Sequence, residues 1–183
     1  MVDHSSFHCS CCGQLHEGPP LAWHLNAPDV WSTLSTAERN RRGELTSDQC
    51  VIDDKYFFIR GLVEIPVLDG EGPFAWGVWV SLSKASFDRT SELWEEPSRI
   101  SEPPYFGWFS NSLPGYPETL NLKVAVHSRA VGVRPFLELE ATDHPLSQEQ
   151  ANGITVARIQ QIAEQMHHHN SELPKTRKRF GLF

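Results

Sequence analysis

The sequence holds 183 residues, 39% hydrophobic and 21% charged, which suits one packed domain and excludes a wholly disordered chain. Its net charge of −7 excludes a general nucleic-acid binder, because a phosphate backbone calls for a basic surface. No apolar run reaches the roughly 18–20 residues of a membrane span, and the start Met-Val-Asp-His-Ser-Ser is neither basic nor apolar, so a cytoplasmic protein with reduced thiols is expected.

The chain opens on Phe7-His-Cys-Ser-Cys-Cys-Gly-Gln-Leu-His16, where Cys9 and Cys12 stand as C-x-x-C with Gly13 directly after. That is the shape of a metal knuckle, a tight turn aiming two thiolates at one ion. His16 lies four residues on, and Cys50 begins the first β-rich run, so Cys9, Cys12, His16 and Cys50 form a candidate Cys₃His zinc site of structural type. The plain reading sets Cys50 in the core as a small apolar group and leaves the knuckle an ordinary turn.

Pro19 and Pro20 force extended backbone up to Trp23. Asn26-Ala-Pro-Asp29 opens a short helix that runs to about Arg39, unless Ser35-Thr-Ala-Glu38, which has the form of a second capping box, divides it into two. Cys50–Ile52 and Tyr56–Val67 are β-rich runs around the turn Asp53-Asp-Lys55. Gly61 interrupts the second as a bulge, and Leu68–Pro73 is a turn. Phe74–Ser83 alternates most clearly: Trp76, Val78, Val80 and Leu82 face one way, Gly77, Trp79 and Ser81 the other. Either a helix covers the Trp79 side or that side binds something. A helix follows from Ser83 as N-cap to Trp94.

Residues 101–119 hold four prolines, two glycines and five aromatics, and read as a long irregular loop, too aromatic for a solvated linker. Tyr105, Phe106, Trp108 and Tyr116 in this loop, together with Trp79, make a candidate contact surface for a protein partner or small ligand. Strands over Leu120–Val126 and Val131–Glu140 form a hairpin around His127–Ala130. Thr142–Ser147 leads into a helix that Gly153 divides, and Ile159, Ile162, Ala163 and Met166 repeat at helical spacing beyond it. A basic tail closes the chain, so the expected organisation is one domain over 1–170 and a disordered tail over 171–183.

These elements predict an α+β domain: a mostly antiparallel sheet from residues 50–83 and 120–140, short helices on one face, and the knuckle over 7–16 clipped on near Cys50. The function this favours is a zinc-stabilised binding module. Its rival is a hydrolase using His127, His144 or an open metal site, although no G-x-S-x-G, H-E-x-x-H or phosphate loop occurs.

The chain also resembles the uncharacterised bacterial family named domain of unknown function 2199, through Phe7-x-Cys9-x-x-Cys12-Gly13-x-x-His16, Asp48-Gln-Cys50-Val-Ile, Phe57-Phe-Ile-Arg-Gly61, Trp76-Gly-Val-Trp79, Tyr105-Phe-Gly-Trp108, Leu113-Pro-Gly-Tyr116 and Asp143-His-Pro145. The resemblance implies no activity, cofactor or catalytic residue.

Overall fold

The computed structural model describes residues 7–8, 13, 15–16 and 20–172, with backbone only at 7–8, 15–16 and 167–172. Cys9, Cys12 and the basic tail after 172 lie outside the described residues. Two short strands, β1 (Phe7–His8) and β2 (Leu15–His16), pair antiparallel with Phe7 opposite His16.

An eight-stranded sheet forms the body, in the order β3 (Ala22–His24), β7 (Pro73–Leu82), β8 (Tyr105–Phe109), β9 (Lys123–His127), β10 (Phe136–Leu139), β6 (Tyr56–Pro66), β5 (Gln49–Ile52) and β4 (Gly43–Leu45). β6 and β7 also pair with each other from Phe57–Leu82 to Pro66–Pro73, which closes β7-β8-β9-β10-β6 into a small barrel. Closure gives each of these five strands two neighbours within the barrel, and β3 and β4 remain as the edges of the sheet. Most neighbours are antiparallel, as the sequence predicts, but β3 runs parallel to β7 and β10 parallel to β6.

Alternation along these strands sets what lies inside. Phe57, Ile59, Val63 and Ile65 of β6 join Phe74, Trp76, Val78 and Val80 of β7 in the main core, with Phe109, Val124, Val126 and Leu137 from the other barrel strands. Gly61 keeps regular register opposite Val78, so it is not a bulge; a Cβ there would stand 2.7 Å from the Leu137 side chain. Its lack of a side chain admits Leu137 to the core.

The helices fall on two sides rather than one. Phe87 of α3 (Lys84–Glu92), Leu146 of α4 (Pro145–Asn152) and Ile159, Ile162 and Met166 of α5 (Val156–Glu172) join the main core. The opposite side of β6 and β7 carries a second cluster of Cys50, Ile52, Phe58 and Trp79, covered by Trp31 of α1 (Asp29–Thr33) and by Leu34 and Leu45. The one-face arrangement fails because Phe58 and Trp79 point outward and need their own cover. The Ser35–Glu38 capping box forms at the start of α2 (Thr36–Arg42), so the region does divide into two helices.

The 101–119 segment is not wholly irregular. Its Tyr105–Phe109 stretch is β8, between β7 and β9. The remainder folds onto the body through Asn111, which is 1% exposed: its Oδ1 accepts from the Trp79 N–H at 2.8 Å, and its Nδ2 donates to the Ala27 carbonyl at 2.9 Å.

Candidate functional site

On the outer side of β8, β9 and β10 the register lays side chains out in rows. Trp108 stands beside Lys123, whose Nζ lies 3.1 Å from Glu140. Phe106 stands beside Ala125, and Ala125 beside Glu138. His127 stands beside Phe136, and its Nε2 lies 2.7 Å from Glu138. The small Ala125 side chain leaves a hollow in the middle. A cavity of about 420 Å³ opens there, lined by Pro104, Phe106, Lys123, Ala125, Glu138 and Glu140.

Phe106 is 54% exposed and Trp108 41%, and their rings meet edge to face at 5.0 Å. Alternation explains both: Gly107 and Phe109 between and beside them turn inward and are buried. The result is a pair of exposed apolar rings beside a rim of charged side chains, Lys123, Glu138 and Glu140.

The model of the family described as an uncharacterised protein conserved in bacteria, DUF2199, matches residues 8–154. The chain belongs to this family. No curated protein and no solved structure matches it. The matched span takes in every barrel strand of this DUF2199 chain and stops before α5.

The structure separates the five aromatics that the sequence grouped. Trp79 is wholly buried, and its Nε1 donates to the Leu25 carbonyl at 3.0 Å. The cover over β6 and β7 thus removes it from the contact surface assigned to it. Tyr105 is half-buried and its hydroxyl donates to Glu102 at 2.8 Å; burial, then that carboxylate, pushes the phenol up to about 12. Tyr116 is also half-buried, donates to Glu149 and lies under Arg158, which binds the same carboxylate at 2.7 Å. Both tyrosines fasten the segment down. Only Phe106 and Trp108 of the five present large exposed rings.

Cys50 is 0% exposed among Ile52, Phe58 and Trp79, and burial pushes its thiol up to about 12. His16 is described in backbone only, within β2. His144 caps α4, its Nδ1 accepting from the Leu146 N–H at 3.2 Å. Among the described residues no three His, Cys, Asp or Glu side chains gather as they would around a metal ion, and no helix is long and apolar enough to cross a membrane.

Sequence reasoning missed Lys123, Ala125, Glu138 and Glu140 as neighbours of the aromatic pair. The signal was the alternation in Tyr105-Phe-Gly-Trp-Phe109, which the flanking prolines obscured.

Proposed function

We propose that this protein is an interaction module that receives a protein partner on the outer face of β8, β9 and β10. The observation that carries the reading is the pair Phe106 and Trp108, large, exposed and stacked on regular strands beside a hollow. Aromatics held on strands lose little side-chain freedom on binding, and such residues supply most of the energy of small interfaces.

Photocrosslinking tests this directly. A benzophenone amino acid placed at Phe106 gives a discrete adduct in cells, while the same group at Leu68, 65% exposed on another part of the surface, gives none. Equal labelling from both positions, or none from Phe106, overturns the reading.

The second part of the proposal is a structural zinc ion held by Cys9, Cys12 and His16, with Cys50 as fourth ligand. Its support is the β1–β2 pairing, which sets Phe7 opposite His16 on either side of the C-x-x-C, and Gly13 at φ +69°. Metal analysis of purified variants decides it: Cys9→Ser and Cys12→Ser lose zinc that the parent chain carries. Zinc retained by Cys50→Ser assigns Cys50 to packing alone, and a metal-free parent chain overturns the site.

A further inference from the structure

A second cleft, distinct from the aromatic face, lies between the loop joining β9 to β10 and the 3₁₀ turn Pro97–Ser101. Its volume is about 430 Å³, and its lining includes Asp48, Trp94, Arg99, Val131, Val133 and Arg134. Glu95 also borders it and is exposed to solvent.

Arg99 is the unusual member. It is 5% exposed, yet among the described residues it forms no ion pair. Nη1 donates to the Trp94 carbonyl at 2.7 Å and the group lies over the Trp94 ring at 5.1 Å; among the described residues Nε and Nη2 have no protein partner, and neither is shut off from solvent.

Arg134 lines the same cleft. Among the described residues only its Nε is engaged, by Asp48 at 2.6 Å, so its two terminal nitrogens have no partner there. Behind Asp48 stands Arg60 of β6, whose N–H donates to the Asp48 carbonyl at 2.9 Å. Asp48 thus meets the Arg134 guanidinium at its carboxylate and the Arg60 backbone at its carbonyl. Burial opposes its ionisation, but hydrogen bonds from Arg134 and Ser47, with the charges of Arg134 and Arg60, hold the carboxyl below the usual range. The lining carries two arginines, Arg99 and Arg134, against Asp48 and the exposed Glu95, and Asp48 is already paired with Arg134.

We propose that the cleft binds a small organic oxyanion, its phosphate or carboxylate group bridging Arg99 and Arg134. Both guanidiniums have donors free for charge-assisted, paired hydrogen bonds of the kind such groups accept. The apolar remainder of the ligand rests against Trp94, Val131 and Val133; the two valines are 37% and 44% exposed, so an apolar group there covers surface otherwise wet. This site depends on neither the zinc nor the aromatic face.

The test titrates isotope-labelled full-length protein with phenyl phosphate, benzoate and inorganic phosphate, following amide resonances. Phenyl phosphate or benzoate produces saturable shifts centred on Arg99, Gly132, Val133 and Arg134, and whichever binds more tightly names the oxyanion. Arg134→Gln weakens that binding about tenfold or more by losing one paired contact. Arg99→Lys keeps the charge and a folded spectrum but loses the planar fork, and weakens it as well. No saturable shift with any of the three, inorganic phosphate binding as tightly as the organic anions, or shifts that survive Arg134→Gln, overturns the proposal.

Discussion

On the outer side of β7, Trp79 is wholly buried; on the outer side of the adjacent β8, Trp108 is 41% exposed. Both rings are turned out of the barrel by the same two-residue alternation. The difference lies in what the chain supplies as cover. Before β6 it provides α1, α2 and the β4–β5 hairpin, and these bring Trp31, Leu34, Leu45 and Cys50 onto Trp79. Gly43 permits the close fit, since a Cβ there would stand 2.6 Å from the Trp31 ring. Among the described residues the outer face of β8, β9 and β10 receives no such layer. An outward tryptophan therefore marks a need for cover, which one half of the barrel meets from its own sequence and the other meets with a partner in our reading.

The widest separation between the two faces comes from truncating their tryptophans. Trp79→Ala lowers unfolding free energy by about 3–5 kcal/mol, the cost of a large void in a closed cluster. Denaturant titration of Trp79→Ala beside Trp108→Ala checks this, and similar losses in both would erase the distinction. Asn111→Ala comes next, at about 2–3 kcal/mol, because the Trp79 N–H and the Ala27 carbonyl lose their partners in a dry setting. Cys50→Ser follows at about 1–2 kcal/mol, from a hydroxyl placed among Ile52, Phe58 and Trp79. Cys50→Ser as stable as the parent in metal-free buffer would show that the covered cluster tolerates polarity and is looser than its burial implies.

The covered half was the more legible one in sequence. The alternation of Phe74–Ser83 identified the inward and outward sets of β7, and the capping box at Ser35 divided the covering helices as the structure has them. What sequence could not supply was which alternative holds for Trp79, because cover is a tertiary fact contributed by residues some fifty positions away. The open half was read less well for a local reason. Pro103, Pro104 and Pro114 flank β8, and proline removes backbone donors, so the segment looked irregular. They lie outside its five paired residues, where a missing N–H harms no ladder. Barrel closure was also invisible, since it depends on long-range pairing of β10 with β6. Arg99 gave no signal because an isolated arginine in a Pro-Ser-Arg turn ordinarily belongs to the surface.

A smaller effect probes the seam between the two halves, where Glu64 of β6 takes a paired contact from Arg129 at 2.7 Å to each oxygen. The hydrogen bonds from Arg129 hold the Glu64 carboxyl below its ordinary range against the opposing effect of burial. A carboxyl depressed in the folded state contributes stability above its unfolded pKa and loses it as pH falls through the folded value. Glu64→Gln therefore costs less than about 1 kcal/mol at neutral pH, and the difference from the parent shrinks on acidification. Stability measured from neutrality into the acid range checks the sign, and a gap that widens on acidification would refute it.

The smallest thermodynamic effect belongs to the residues with the largest proposed role. Phe106→Ser combined with Trp108→Ser changes stability by no more than about 0.5 kcal/mol, because both rings already contact water in the folded chain. Their edge-to-face contact at 5.0 Å adds little, since exposed rings keep much of their freedom after losing it. Yet the same double change abolishes crosslinking from a photoreactive group placed at Ala125, in the hollow beside Phe106. The two readouts must diverge for the comparison of faces to hold. A double variant that melts well below the parent would mean that these rings are already covered by the chain itself. An unmoved melting curve with undiminished crosslinking would mean that the partner grips elsewhere on the barrel.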